Sequence, residues 1–134
     1  MAFVVEILTS IEMDGDTDSM RVCEPAEYSW SPEAQTVFYD SETEDGRVHT
    51  CITVTPEYVD IERDSAEMPC LHLREGEKTE RVIRTAYGDI PFVCTCERVL
   101  SRLDGHGGRV HLRYTLELGG GLSHNSVNIK ISEI

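Results

Sequence analysis

Apolar and polar residues alternate one by one along most of this chain, whereas the 3.6-residue spacing of an amphipathic helix is hard to find in it. Because a β-strand turns successive side chains to opposite faces, such alternation predicts strands with one buried face. In the clearest run, single polar residues separate Val110, Leu112, Tyr114, Leu116 and Leu118. Similar runs contain Phe3, Val5 and Ile7; Val48, Ile52 and Val54; Val59 and Ile61; Leu71 and Leu73; and Val127, Ile129 and Ile131. The pattern therefore predicts an all-β protein.

Turn-forming sequences end each of these runs. They are DGD at 14–16, DG at 45–46, TPE at 55–57, EGE at 75–77, DGHGG at 104–108 and GGG at 119–121. Such spacing gives about nine or ten short strands with tight connections, which is typical of a sandwich or an up-and-down barrel. We predict the barrel: a single domain over residues 1–134, with about 8–10 antiparallel strands.

The segment VIRTAYGDIPFVCTC at residues 82–96 is either a bent strand or a hairpin. A straight strand would put Arg84 on the same face as Phe92, with its charge in the core. A hairpin with the two-residue loop Gly88–Asp89 avoids this, since Arg84 then faces water and glycine supplies the positive φ of the first loop position. We therefore predict a hairpin with Gly88–Asp89 at its tip and Tyr87 on the inner face.

Net charge limits the partners of the protein. The 134 residues include 25 acidic and 12 basic ones, for a formal net charge of −13. Such a surface repels phosphate backbones and anionic lipid, and no lysine or arginine cluster is evident along the sequence to offset it. No segment approaches the roughly 20 apolar residues that span a bilayer. We expect neither nucleic acid nor a membrane as a partner.

Five cysteines and the amino-terminal segment indicate a cytoplasmic protein. The number of cysteines is odd and their spacing irregular, which suits free thiols in a reducing compartment rather than a disulfide framework. The segment MAFVVEILTS lacks a basic region, and Glu6 interrupts its apolar run. It therefore does not have the pattern of a secretion signal.

Pairs of soft ligands raise the question of a metal site. They are His49 and Cys51, Cys70 and His72, and Cys94 and Cys96, together with His111. Cys94 and Cys96 share the apolar face of their strand, whereas the first two pairs alternate with apolar residues and point outward, so the pairs cannot converge on one ion. We expect no metal and no cofactor. No catalytic or nucleotide-binding motif is present either, and we do not expect an enzyme.

Arg63 is the most suggestive candidate for a binding residue. It follows Val59 and Ile61 in the inward register, so it either ends a strand at the barrel mouth or enters the interior. In the interior its charge would need a carboxylate or a ligand anion. Tyr87 and Tyr114 are placed near the interior by the same alternation, and a buried hydroxyl needs a partner.

Barrels of this size either fill with side chains or hold one small ligand. Our leading functional hypothesis is that a small, partly apolar or amphipathic molecule binds inside the barrel. The candidate ligand-binding residues are Arg63, Thr85, Tyr87 and Tyr114. The alternative is a non-catalytic interaction module that forms a homodimer or binds another protein through an outer sheet face.

Several segments match a known family in their order and spacing. They are FYDSETEDGRVHTCITV at 38–54, VDIER at 59–63, Met68, Gly76, IRTAYG at 83–88, LRYTLELGGG at 112–121 and HNSVNIKI at 124–131. By these segments the chain from Val37 onward resembles the YwiB-like family of small bacterial β-barrel proteins. The resemblance implies a bacterial protein with a calycin-like or lipocalin-like barrel, and it implies no activity, since the function of that family is unknown.

Overall fold

The structure is a computed structural model that describes residues 2–44, 46–64 and 70–134. Its ten strands are β1 (Phe3–Met13), β2 (Asp16–Trp30), β3 (Gln35–Thr43), β4 (Gly46–Val54), β5 (Val59–Arg63), β6 (Leu71–Leu73), β7 (Lys78–Thr85), β8 (Gly88–Asp104), β9 (Gly107–Leu118) and β10 (Gly121–Glu133). Within the described ranges no helix is long and apolar enough to cross a membrane. Met68, which contributes to the family resemblance, lies outside them.

From β1 to β6 and from β7 to β10, each strand pairs antiparallel with the next. The strands β1 and β10 also pair, so the sheet runs in the order β6-β5-β4-β3-β2-β1-β10-β9-β8-β7. The sheet curls until its ends approach each other, and β6 contacts β8 across the remaining gap. The connection from β6 to β7 bonds to β8 there, because the Gly76 N–H donates to the Cys96 carbonyl at 2.9 Å. The result is a nearly closed up-and-down barrel of ten antiparallel strands, which confirms the predicted all-β fold.

Alternate residues of these strands fill the interior. Leu112, Val110 and Ile129, all predicted from the pattern to face inward, are at most 2% exposed. Full burial of one such side chain contributes about 1.5–3 kcal/mol, so the shared inner face is the main source of stability. Cys94 and Cys96 are also buried and pack in this core as small apolar residues.

The hairpin within residues 82–96 is confirmed, but its predicted loop is two residues too late. The loop is Ala86–Tyr87, and Thr85 pairs with Gly88. Gly88 directly follows the two loop residues and has a φ of +119°. A type I turn that is closed by a bulge requires a positive φ at this position, which glycine adopts readily. The Thr85 hydroxyl stabilises this turn by donating to the Gly88 carbonyl at 2.7 Å. Tyr87 is therefore fully exposed at the tip, and the prediction that it faces the interior is wrong.

A shift of two residues preserves the face that each side chain takes, because the side-chain period of a strand is two. Arg84 lies opposite Asp89 on the outer face, and Phe92 is buried, as the hairpin interpretation required. A hydrogen bond of the same kind joins the ends of β3 and β4. There the Thr43 hydroxyl donates to the Gly46 carbonyl at 2.8 Å.

Candidate functional site

A cleft opens where two hairpins part. The β2–β3 pairing ends at Ala26 and Tyr39. Beyond that point β2 continues against β1, while β3 continues against β4 as far as Thr43. The space between the two hairpins is a cleft of about 880 Å³, which we call the mouth cleft. Its volume lies within the roughly 300–1,000 Å³ that small-molecule sites occupy.

The inner wall of the mouth cleft contains Tyr39, Thr50 and Arg63. Thr50 pairs with Tyr39 on β3 and with Arg63 on β5, so the three residues form one inward row. Tyr39 and Thr50 are buried, and Arg63, the last residue of β5, is half-buried. Cys70 supports the backbone there, since the Arg63 N–H donates to Cys70 Sγ at 3.5 Å. Of the two predicted positions for Arg63, the barrel mouth is the one observed.

Tyr114 lies in the core close to this row and is 8% exposed. Burial raises the pKa of its phenol to about 12, and the positive charge of Arg63 opposes that shift. Arg63 therefore lies within electrostatic range of Tyr114. They are the two predicted site residues that the fold brings together. Thr85 and Tyr87 instead form the β7–β8 turn, where the Tyr87 N–H donates to the Thr85 hydroxyl at 3.2 Å, and they do not line the mouth cleft.

The outer wall carries a histidine between two carboxylates, a group that the sequence interpretation missed. His49 Nδ1 hydrogen-bonds to Asp40 Oδ1 directly across the β3–β4 pair. Asp64 Oδ1 accepts from the His49 backbone N–H at 2.8 Å, and Asp64 Oδ2 lies 3.8 Å from His49 Nε2. The hydrogen bond to Asp40, then its charge and that of Asp64, raise the pKa of His49. The imidazole is therefore protonated to a larger extent near neutral pH than an isolated histidine.

The soft-ligand pairs lie on opposite faces of the sheet, as the alternation predicts. Cys94 and Cys96 are buried, whereas His49 and His72 lie on the outer face, each bonded to an aspartate. In the part of the chain that the structure describes, no group of three or more histidine, cysteine, aspartate or glutamate side chains is arranged to hold a metal ion.

The buried Cys94 thiol leads us to expect a loss of stability at alkaline pH. Burial, with a smaller contribution from Cys96, raises its pKa from 9.0 to about 11. Because the folded pKa lies above the unfolded value, the stabilisation is complete below pH 9.0 and is lost as the pH rises towards about 11. The free energy of unfolding should fall by on the order of 2 kcal/mol across this window, as measured by urea denaturation. Cys94→Ala should show a smaller fall, and an equal one would contradict the assignment to Cys94.

Comparisons with known proteins agree with the fold. Residues 5–131 match the domain of unknown function DUF1934. The crystal structure of the ywiB protein from Bacillus subtilis is similar to this chain, with a TM-score of 0.81 and 19% sequence identity over 96% of this chain and 90% of that one. No curated protein matches the chain. The structural likeness shows a shared barrel, in agreement with the resemblance found in the sequence.

Proposed function

The chain belongs to the DUF1934 family of domains of unknown function, and from this premise we propose that it binds a small amphipathic molecule in the mouth cleft. The observation that carries the proposal is the composition of the cleft wall. Phe38, Pro25 and Ala26 supply apolar surface, while Tyr39 and Thr50 supply hydroxyl groups. Sites for small molecules combine these two kinds of surface in one concave region.

The charge of the wall indicates which polar group the ligand carries. Two arginines and His49 line the cleft against five carboxylates, those of Glu24, Glu27, Asp40, Glu62 and Asp64. One of the arginines, Arg47, already forms an ion pair with Glu42, with Nε and Oε1 3.2 Å apart. A ligand with an amine or another hydrogen-bond donor is therefore attracted to the cleft. Its apolar part would lie against the ring of Phe38.

We place the ligand at the mouth rather than at the centre of the barrel, where the sequence hypothesis put it. The central part of the inner face is aliphatic and closely packed, and Leu73, Val37 and Val59 are all 0% exposed. Such packing leaves little room between side chains. The ligand therefore enters between β2 and β3 and reaches as far as Arg63.

Native mass spectrometry of the protein purified from its own cells should show a species heavier than the chain by the mass of the bound molecule. Phe38→Ala should weaken the binding of that molecule about tenfold, because losing one apolar contact of this size costs roughly 1.4 kcal/mol. Phe38 is 48% exposed, so the substitution leaves the core intact. Titration calorimetry with the identified molecule measures both affinities.

Val82→Ala is the matched control for this experiment. Val82 is a similarly exposed apolar residue, at 53%, and it lies on β7, outside the mouth cleft. Its replacement should leave the affinity unchanged. If only the bare chain is recovered, or if Phe38→Ala binds as tightly as the wild-type protein, the mouth cleft is not a ligand site.

We propose binding without catalysis, in the cytoplasm. All five cysteines are free thiols, which supports a reducing compartment. The alternative, a homodimer or a complex with another protein through an outer sheet face, stays a prediction. The side chain of Val82, which is 53% exposed opposite Pro91 on the outer face, favours it.

A further inference from the structure

The outer face of β8, β9 and β10 collects positive charge in a chain with a formal net charge of −13. The pairing of the strands sets Arg98 opposite Arg113, and Arg102 opposite Arg109, which in turn lies opposite Lys130. We call these five residues the basic face; the whole chain has 12 lysines and arginines. The expectation that no basic cluster offsets the acidic surface is wrong, because pairing joins side chains that are far apart in the sequence.

The basic face exists at an electrostatic cost. Neighbouring strands lie about 4.8 Å apart, and like charges directly opposite each other destabilise a sheet. Glu6 on β1 lies opposite Lys130 and extends the row of Arg102, but it already accepts a hydrogen bond from Arg21 Nη2 at 2.6 Å. The positive charge of the basic face therefore exceeds the negative charge beside it. Such an excess attracts anions.

A groove of about 490 Å³ adjoins the basic face. Arg102, Arg109 and Lys130 line it on one side, together with Glu6, which lies opposite Lys130 and is paired with Arg21. On the other side it is lined by Leu8 and Leu100, which are 44% and 49% exposed. These leucines stand two residues along their strands from the charged row, which corresponds to about 7 Å. Charged and apolar groups thus face one groove together.

His111 and Asn128 fill the row between the two leucines. Leu100 lies opposite His111, His111 opposite Asn128, and Asn128 opposite Leu8. His111 Nδ1 hydrogen-bonds to Asn128 Oδ1 at 2.7 Å, which orients the ring. With Nδ1 as the donor, the other ring nitrogen and the Asn128 amide nitrogen remain for hydrogen bonds to a ligand.

We propose that this groove binds a phosphate monoester with a short aliphatic group. The phosphate lies between Arg102, Arg109 and Lys130, because guanidinium groups bind phosphate oxygens through paired hydrogen bonds. With a charge of about −1.5 to −2 at neutral pH, a phosphate monoester also relieves the repulsion among the three cations. The aliphatic group packs against Leu100, which lies two residues along β8 from Arg102. This site is separate from the mouth cleft, so either proposal can fail alone.

The size of the basic face favours a compact anion over a polymer. Carboxylates border it, with Glu97 beside Arg98, Asp104 at the end of β8 and Glu117 further along β9. Charges interact over roughly 8–10 Å at physiological salt. A nucleic acid or an acidic protein that extends beyond the groove meets all of these carboxylates, whereas a single phosphate ester lies within range of Asp104 and Glu6 only and is close to three cations. On this ground we keep the prediction that nucleic acid and membranes are not partners.

Titration of the isotope-labelled full chain with hexyl phosphate, followed by amide chemical shifts, tests the site. Shifts should concentrate on β8, β9, β10 and β1, with an affinity about fivefold higher than that for inorganic phosphate, which lacks the aliphatic contact. Arg109→Gln should lower the affinity for hexyl phosphate about tenfold. Leu100→Ala should lower the affinity for hexyl phosphate and leave that for inorganic phosphate unchanged. Lys130→Gln replaces Arg109→Gln if the latter alters the fold.

Arg84→Gln is the matched control, because it removes the same charge from an exposed strand position opposite Asp89, outside the groove. It should change the affinity less than about twofold. Shifts that map to the mouth cleft, or equal losses in Arg84→Gln and Arg109→Gln, would overturn the proposal. So would inorganic phosphate binding as tightly as hexyl phosphate, or a single-stranded oligonucleotide binding the same face more tightly.

Discussion

Gly108→Ala is expected to lower the free energy of unfolding by more than about 3 kcal/mol. Gly108, near the start of β9, has a φ of +141°, which side-chain-bearing residues rarely adopt. A Cβ at this position would lie 2.0 Å from the Arg102 carbonyl oxygen, an atom of the β8 backbone. Since β8 and β9 are hydrogen-bonded neighbours, neither backbone can retreat without breaking their pairing. Urea denaturation of the two proteins measures the difference.

Gly105→Ala provides a control within the same turn. A Cβ on Gly105 meets no heavy atom within 4 Å, and its φ is not in the left-handed region. Its replacement should therefore change the free energy of unfolding by no more than about 0.5 kcal/mol. Similar unfolding midpoints for Gly108→Ala and Gly105→Ala would mean that β8 does not approach β9 as closely as described.

The three glycines of DGHGG illustrate the limit of the sequence signal. As a group they predict a turn, which the structure confirms between β8 and β9. The sequence alone does not distinguish Gly105 from Gly108, because the difference lies in the Arg102 carbonyl, which faces Gly108 from β8, whereas no atom faces Gly105 within 4 Å. Turn composition is a local property, whereas close approach is a property of the assembled sheet.

The face that each strand residue occupies was predictable, because it depends only on whether the residue's position along the strand is odd or even. Val110 and Leu112 are buried where the alternation placed them, and Arg84 and Phe92 lie on opposite faces. The alternation does not identify the loop residues of a hairpin, since moving the loop by two residues leaves every side chain on the same face. Tyr87 was therefore placed inside, although it sits at the exposed tip of the turn.

To predict which side chains lie opposite each other on neighbouring strands, the register of the pairing is needed as well as the face of each residue. Asp40 and His49 lie at equal distances on either side of the β3–β4 turn, and so do Arg102 and Arg109 around the β8–β9 turn. Counting residues outward from a correctly predicted loop would have placed Asp40 opposite His49 and Arg102 opposite Arg109. The mouth cleft had no comparable signal. It forms because the β2–β3 pairing stops at Tyr39, and the all-polar residues 40–43 that follow do not show whether β3 still has a neighbouring strand on that side.

Leu112→Ala is expected to lower the free energy of unfolding by about 2–5 kcal/mol. Leu112 is 0% exposed and lies between Val99 on β8 and Val127 on β10, both of which contribute to the core. Truncation removes the buried methyl groups and leaves a cavity, because hydrogen-bonded strands on both sides hold the backbone in place. Urea denaturation monitored by circular dichroism gives the difference.

Leu100→Ala tests whether this loss comes from burial rather than from the loss of a leucine. Leu100 lies on β8, opposite the residue that precedes Leu112, and 49% of its surface is exposed. Its truncation leaves no closed cavity, so the stability should change by less than about 1 kcal/mol. The two leucines sit on adjacent strands and differ chiefly in the face they occupy. Equal losses would show that the sheet does not enclose an interior, and the barrel itself would then be in question.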